Sequence, residues 1–313
     1  MPRSKSLLLL SLATLFAPAF AQQPQSANPA RPGTLNYIEG QASIDGRQVT
    51  DKSVGRAELQ PGQYLATADG KVEILLTPGI FLRLDNNTTV KMISPDLTHT
   101  EVAIERGRAD VEADQLYPQN TILIDQKGGQ TQIVKNGLYE FNADNNTMRT
   151  FDGKAAVYPG DDLQTNEKPV DVKGGRQIAM TGETVKPQSF DKSRSEDDLY
   201  QWSSLRSQYL GEANVDLAQE YAGASSFNPG WFWDSDLYAY DWLPGGGPFF
   251  SPFGFGFYSP YAFYGGGFGY GGFYGGGYGY RGGRFGGGYG GGGFHGGGGG
   301  GFHGGGGGGG GHR

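Results

Sequence analysis

The chain carries one strand-and-turn pattern twice, and this duplication more than any other feature limits it to a largely β architecture. The copies cover residues 70–92 and 128–150. Each has an alternating run, a turn pair (Pro78-Gly79 or Asn136-Gly137), a second run and an Asp-Asn-Asn-Thr tetrapeptide. Gly and Asn tolerate the positive φ of a tight turn, so the two turn pairs predict two hairpins. An internal repeat of this kind predicts two β units that stack or pair.

The turns of the two copies single out six residues. Asp85 and Asp144 open the tetrapeptides, where Asp and Asn side chains bond their own backbone and so favour a turn. Each copy is followed by two further strands around a glycine turn, within residues 102–114 and 150–157. The predicted structural turn residues are Gly79, Gly137, Asp85, Asp144, Gly107 and Gly153.

This pattern resembles the FecR domain, the periplasmic module of FecR-type envelope sensors. The matching residues are 59–65 (LQPGQYL), Thr67, Gly70, Gly79 and 104–107 (IERG), within a stretch from about 34 to 160. The resemblance implies an antiparallel β-sandwich or β-roll. FecR-type sensors relay a receptor signal to a sigma factor through an anti-sigma segment and a membrane span that precede the module. Here an export signal takes that place, so the resemblance implies the module without the sigma-regulator role.

The first residues predict export. Arg3 and Lys5 precede an apolar run at residues 7–16, and Ala19-Phe20-Ala21 gives a small-x-small cleavage pattern, so residues 1–21 form a predicted signal peptide. A run of about ten apolar residues is shorter than the roughly 20 that cross a bilayer, so a membrane anchor is the weaker alternative. We expect a periplasmic, secreted or cell-surface protein that does not span the membrane. With 0 Cys, disulfides take no part in its stability.

Composition divides the rest of the chain into four segments. These are a Pro/Gln linker (22–33), a FecR-like β domain (34–190), an amphipathic helix (191–224) and a tail (225–313) that is first aromatic and then Gly-rich. Residues 34–190 have the usual size of one domain. The formal net charge is -7, and every Asp and Glu lies at or before Asp241, so an acidic body precedes a weakly basic tail.

One predicted strand combines apolar and acidic residues. In residues 108–114, Ala and Val alternate with Asp110, Glu112 and Asp114. The alternation predicts an antiparallel sheet with one solvated face, on which the three acids would lie. Their oxygens could bind Ca²⁺, but a solvated strand face is the commoner arrangement.

The predicted helix begins at residues 195–198, because Ser can cap a helix and acids favour the positive end of its dipole. Trp202 and Tyr209 recur at helical spacing. We expect them to pack the helix on the β domain or on a partner. Asp198, Trp202 and Arg206 form a pattern similar to the helix that follows the FecR module in many exported FecR-domain proteins.

From residue 265 the chain is nearly all Gly with spaced Tyr, Phe and His. Gly loses the most backbone entropy on ordering, so we expect a disordered tail whose aromatic residues make weak multivalent contacts. Arg281 and Arg284 resemble an RGG segment, but two Arg behind an export signal argue against nucleic-acid binding. Three residues could loosely hold Zn, Ni or Cu, although a solvated tail is the favoured interpretation: His295, His303 and His312.

The sequence shows no catalytic constellation. There is no Cys nucleophile, and His99, in a predicted loop, is the only His before the tail. We therefore expect a non-enzymatic protein that needs no cofactor and no metal.

The favoured function is that of an exported envelope protein whose FecR-like β domain acts by binding or as a scaffold, with a role in envelope sensing. Its partner is an envelope protein or polymer that the sequence does not identify. The alternative is a surface or matrix protein whose Gly-aromatic tail mediates weak, multivalent adhesion.

Overall fold

The computed structural model describes residues 29–160, 168–224 and 226–263, and there the protein is mainly β with one long helix. This confirms the predicted fold class. The predictions for the signal peptide and for residues 265–313 lie outside the described residues. None of the helices within the described ranges is both long and apolar enough to cross a membrane.

Fifteen strands of the described residues form one continuous sheet. Their bounds are β1 Leu35–Ile44, β2 Arg47–Val49, β3 Tyr64–Leu75, β4 Ile80–Leu84, β5 Thr89–Asp96, β6 His99–Arg106, β7 Arg108–Ala113, β8 Thr121–Gln126, β9 Gly129–Ile133, β10 Gly137–Asn142, β11 Thr147–Thr150, β12 Lys154–Pro159, β13 Val170–Lys173, β14 Arg176–Ala179 and β15 Gln188–Ser189.

The sheet is followed by helices and two small hairpins. The helices are α1 (Lys192–Ser195) and α2 (Asp198–Glu220). Strand β16 (Gly230–Asp234) pairs with β17 (Ala239–Leu243), and β18 (Phe249–Phe250) pairs with β19 (Gly256–Phe257). Short 3-10 helices lie at Asp51–Ser53 and Pro260–Phe263.

Strand β3 joins the two halves of the sandwich. Its first residues pair with β5 (Leu65 with Val90) and its last residues pair with β4 (Ile74 with Leu82). From β3 the order runs β5-β6-β8-β9-β12-β13 in one direction, which we call the open half. In the other direction it runs β4-β7-β10-β11-β14-β15, which we call the capped half because α2 lies on it. The described pairs are antiparallel except for β6 with β8.

Apolar residues from both halves fill the space between them. Val72 and Leu82 of the capped half belong to the same buried cluster as Val90 and Ile124 of the open half. All four are 0% exposed. Removing such side chains from water stabilises a fold by roughly 25 cal/mol per Å², so this cluster is the main source of stability for a chain without disulfides.

Only one of the two predicted hairpins at the turn pairs is present. Pro78-Gly79 joins β3 and β4 in an antiparallel hairpin. The prediction for Asn136-Gly137 is wrong, because β9 pairs with β8 and β12 whereas β10 pairs with β7 and β11. The chain there crosses from the open half to the capped half. The physical reason is strand length: β3 has 12 residues and reaches both halves, while β9 has 5 and stays in one.

The Asp-Asn-Asn-Thr turns also play different roles in the two copies. The second joins β10 and β11 as a hairpin, and the first crosses from β4 in the capped half to β5 in the open half. Their local backbone is nevertheless the same, since Asn87 and Asn146 both have φ 51. The two copies also contact one another, because the Gly107 N–H donates to Asp144 Oδ1 at 2.9 Å.

The predicted turn glycines have positive φ values and little room for a side chain. An added Cβ would lie 3.0 Å from the Trp242 ring at Gly79, 2.2 Å from Asp152 O at Gly137 and 2.3 Å from Tyr139 Oη at Gly153. These positions require Gly because the backbone conformation and the close packing both exclude a Cβ.

Gly107→Ala should destabilise the protein more than Gly46→Ala. The two residues have nearly the same φ (+78 and +76), but a Cβ at Gly107 would lie 2.4 Å from Thr88 Oγ1, whereas one at Gly46 meets nothing within 4 Å. We expect a loss of about 1 kcal/mol at Gly46 from the backbone alone and about 2–4 kcal/mol at Gly107. Urea melts followed by far-UV circular dichroism measure both. Equal losses would show that the contact with Thr88 relaxes freely.

The aromatic segment after α2 belongs to the folded body, which corrects the expectation of a low-complexity tail from residue 225. Within residues 226–263, Trp242, Leu243 and Phe257 are each 0% exposed. Trp242 packs with Phe81 of the capped half in one cluster. Aromatic side chains bury large areas, which offsets the backbone entropy that the Gly residues lose. We call α2 together with residues 226–263 the cap.

Candidate functional site

Helix α2 lies on the capped half with a mixed polar and apolar side inward. Its buried residues recur at three- and four-residue spacing: Leu199, Ser203, Arg206, Ser207, Leu210, Gly211, Asn214, Leu217 and Ala218. The helix begins after Asp197, not at Ser195 as predicted, because the Asp197 carboxylate accepts the backbone N–H groups of Leu199 and Tyr200. Ser195 instead ends α1.

The two predicted helix-packing residues lie at the margin of this contact. Trp202 is half-buried, and its Nε1 donates to Glu39 Oε2 at 2.9 Å. Its ring centroid lies 6.1 Å from that of Tyr37 on β1. Tyr209 is 46% exposed and so does not pack the helix on the β domain. Its packing on a partner stays a prediction.

Beneath the cap lies a group of charged side chains that we call the polar layer. Its members are almost completely buried: Glu73, Arg83, Asp110, Glu112, Asp114, Arg206 and Asp241. They come from β3, β4, β7, α2 and β17, so the layer ties the cap to the sheet.

Two arginines and two glutamates form the centre of the polar layer. Arg83 Nε donates to Glu73 Oε2 at 2.8 Å, and Arg83 also pairs with Glu112. Arg206 Nη2 of the cap donates to Glu73 Oε1 at 3.0 Å. Burial alone raises the pKa of Glu73, but Arg206 and Arg83 outweigh it and lower this pKa to about 2. Glu73 is therefore a carboxylate in the folded protein.

The acids of β7 are buried, so the predicted solvated strand face is wrong. Asp110, Glu112 and Asp114 are at most 2% exposed. Ser203 Oγ donates to Asp110 Oδ2 at 2.8 Å and Ser207 Oγ donates to Glu112 Oε1 at 2.6 Å, so α2 takes the place of water. The described residues contain no group of three or more His, Cys, Asp or Glu that could hold a metal ion.

Arg108 fastens the start of α2 to one of the predicted turns. Its Nη2 donates to Asp85 Oδ2 at 2.5 Å, and its Nη1 pairs with the helix cap residue Asp197. Asp85 thus anchors the helix in addition to forming a turn. His99 begins β6, not a loop, and its ring is about half exposed beside Glu101 at 3.0 Å.

The cap carries a set of mutually contacting aromatic rings that we call the aromatic patch: Tyr221, Phe227, Phe232 and Tyr261. The first three pack from outside against the buried Leu217, Ala218 and Leu243. Phe227 stacks on Phe232 at 5.5 Å between centroids and meets Tyr261 edge-on at 5.9 Å. Tyr221 meets Phe232 at 4.7 Å. Three of these residues are partly exposed and Tyr261 is 56% exposed. Such amphipathic rings are typical of binding surfaces because they offer area at little entropic cost.

Sequence reasoning missed the polar layer, although a signal for it exists. Glu73 and Arg83 stand inside runs that are otherwise apolar, KVEILL and IFLRL. A charge in such a run is almost never buried alone, so each one indicates a partner of opposite charge. Arg206, the only basic residue of α2, supplies one of the partners.

No model of a known protein family matches the chain, and no curated protein matches it. The solved structures that match it include two crystal structures of a "putative anti-sigma factor" from Parabacteroides distasonis ATCC 8503, at 2.50 and 1.65 Å resolution. Each has a TM-score of 0.35 and 11% identity, and the match covers 42% of this chain and 62% of that chain. The matched region is thus under two thirds of that protein's length, and so low a score carries no argument about shared function.

Proposed function

We propose that this protein is exported to the cell envelope and acts there by binding, not by catalysis. The observation that carries the proposal is the aromatic patch, in which Tyr221, Phe227, Phe232 and Tyr261 contact one another, three of them partly exposed and Tyr261 56% exposed. A contiguous exposed apolar surface rimmed by polar residues is typical of an interaction site. Export is supported by Arg3, Lys5 and the pattern at residues 19–21.

The β-sandwich serves in this proposal as the rigid support of the patch. The polar layer holds the cap on the sheet by hydrogen bonds and ion pairs, and rigid support reduces the entropy that binding costs. The FecR-like pattern of residues 34–160 adds a role in envelope sensing, in which the bound component is the signal.

A binding assay on purified envelope material tests the proposal. The mature chain is first confirmed by N-terminal sequencing, which should begin at Gln22. We expect Phe227→Ala and Tyr261→Ala to weaken binding to insoluble envelope polysaccharide about tenfold or more together, since aromatic anchors dominate such surfaces. Tyr64→Ala, which removes a 41% exposed Tyr from β3, is the matched control.

Two outcomes would count against this proposal. A protein that keeps Met1 and stays in the cytoplasm contradicts export. Binding that the patch variants leave unchanged excludes the aromatic patch as the contact surface. Binding to detergent-extracted envelope proteins, and not to polysaccharide, would identify the partner as a protein.

The composition of residues 265–313 favours a second candidate function. This stretch combines Gly with spaced Tyr and Phe and contains no Asp or Glu. Weak contacts repeated along a chain add up to adhesion by multivalency. A chain ending after residue 263 separates the two candidates, because it keeps the aromatic patch and lacks the Gly-rich stretch.

A further inference from the structure

The polar layer contains more acids than bases. Five carboxyl groups (Glu73, Asp110, Glu112, Asp114 and Asp241) and two guanidinium groups (Arg83 and Arg206) are each at most 4% exposed. The neighbouring buried acids have partners of their own, Glu140 with Arg149 at 2.8 Å and Asp85 with Arg108 at 2.5 Å. If every member were ionised, the layer would hold an excess of three buried negative charges.

Within the part of the chain that the structure describes, the three aspartates are the members of the layer that form no ion pair. Glu73 and Glu112 pair with Arg83 and Arg206. Among the described residues, Asp110 accepts a hydrogen bond from the Ser203 hydroxyl, and Asp241 accepts one from the backbone N–H of Trp242 at 2.6 Å. Neither carboxyl oxygen of Asp114 meets a hydrogen-bond donor among the described residues. An ionised carboxylate buried in this way is costly, and such groups take up a proton instead.

The charged groups around each aspartate act in both directions, since the carboxylates raise its pKa and the arginines lower it. Asp110 faces Arg83 of β4, Glu140 of β10, Asp197 before α2 and the Tyr200 phenol of α2. Asp114, which follows β7, faces Glu112 of that strand, Arg83, and Asp241 of β17. Asp241 faces Asp234 of β16, Glu73 of β3 and Arg206 of α2. In all three cases burial is the largest cause of a raised pKa, and the neighbouring carboxylates add to it.

These aspartates lie where the cap meets the sheet. Asp110 belongs to β7, Asp114 directly follows that strand, and Asp241 belongs to the cap. Separation of the cap from the sheet would bring water to all three at once.

We propose that the cap is latched by protons: it stays closed on the sheet while Asp110, Asp114 and Asp241 are neutral, and it opens as they ionise. The layer is then a pH-sensitive element built into the fold, separate from the aromatic patch.

The direction of the effect follows from proton linkage. When the cap is open, the aspartates are hydrated and have the ordinary Asp pKa of about 3.9. When the cap is closed, the aspartates keep their protons to higher pH. Opening therefore releases protons at any pH above about 4. The opening constant therefore rises with pH, by up to about tenfold per unit for each proton released, until the pH exceeds the raised pKa values. Glu73, with a pKa of about 2, acts in the opposite direction and favours opening only as the pH falls below its unfolded value of 4.5.

Hydrogen exchange on the full chain tests the latch. Amide exchange between pH 5 and pH 7, corrected for the intrinsic pH dependence, gives the opening constant of α2 and β17. We expect it to rise at least about tenfold in the natural chain and less than about twofold in the triple variant Asp110→Asn, Asp114→Asn, Asp241→Asn. A matched triple variant at exposed positions, Asp69→Asn, Asp96→Asn, Asp236→Asn, should behave as the natural chain does. Amides of β5 and β12 should change little, since the open half lies away from the cap.

Tryptophan fluorescence gives a second readout, because all four Trp residues lie in the cap: Trp202, Trp231, Trp233 and Trp242. Acrylamide quenching should increase with pH in the natural chain.

An opening constant of the cap that does not change with pH in the natural chain would overturn the proposal. The same rise of the opening constant in the buried triple variant would also overturn it. So would an equal rise in β5 and β12, which would indicate global unfolding. If the triple variant does not fold, Asp241→Asn alone should lower the slope by one proton, and an unchanged slope refutes the latch.

Discussion

Replacing Arg83 with Met is expected to destabilise the protein by about 3–5 kcal/mol, because the change leaves buried carboxylates without a counter-charge. Arg83 is 0% exposed and pairs with both Glu73 and Glu112. Arg206 still reaches Glu73, but Glu112 keeps only the Ser207 hydroxyl. Urea denaturation followed by circular dichroism at pH 7 measures the loss.

Two further variants make the Arg83 experiment specific. Arg194→Met removes an arginine that is 88% exposed and pairs with Asp191 at 3.4 Å, and it should change stability by about 0.5 kcal/mol or less. Adding Glu112→Gln to Arg83→Met should recover part of the loss, because the unpaired buried charge is then gone. An Arg83→Met variant as stable as Arg194→Met would show that the polar layer admits water.

Trp242→Ala should cost about 3–5 kcal/mol, the usual penalty for removing a fully buried aromatic side chain. Trp242 is 0% exposed and its ring lies 5.4 Å from that of Phe249 and 5.6 Å from that of Phe257. Its backbone carbonyl accepts a hydrogen bond from Asn214 Nδ2 of α2 at 2.8 Å. The loss should therefore extend to the docking of the helix.

Phe250→Ala is the control for Trp242→Ala, since Phe250 lies in the same segment but is 63% exposed. We expect a change of about 0.5 kcal/mol or less. Far-UV circular dichroism is the appropriate probe because it reports the strands and does not depend on the removed indole. Equal melts for Trp242→Ala and the natural chain would mean that residues 226–263 fold independently of the sheet.

The strands could be predicted from the sequence because they rest on local signals. Short β-prone runs at residues 122–124, 155–158, 170–172 and 177–180 predict strands, and these runs coincide with β8, β12, β13 and β14, of which β14 ends one residue earlier, at Ala179. The turn glycines follow from backbone sterics, which act within a few residues. Both kinds of signal are readable without knowledge of the partner strand.

Strand pairing and the polar layer could not be predicted in the same way. Whether Asn136-Gly137 closes a hairpin depends on which half each flanking strand joins, and this is decided by contacts far along the chain. The alternation around Asp110 is the same for a solvated face and for a face covered by a polar helix. Helical spacing also pointed to Trp202 and Tyr209, while the buried side of α2 mixes polar residues such as Ser203 and Ser207 with apolar ones such as Leu210. A mixed interface of this kind gives only a weak apolar stripe.

The covering of the sheet by the cap has a consequence for the order of folding. Asn36 at the start of the sandwich donates to the Tyr240 carbonyl at 3.0 Å and accepts its N–H at 2.7 Å, a separation of 204 residues. During synthesis the strands can therefore pair long before the residues that cover them exist. An uncovered face of ionised Asp and Glu stays hydrated and repels a second copy of itself, whereas an apolar face would aggregate. The acidic residues that are costly to bury in the folded protein thus oppose aggregation of the incompletely synthesised chain.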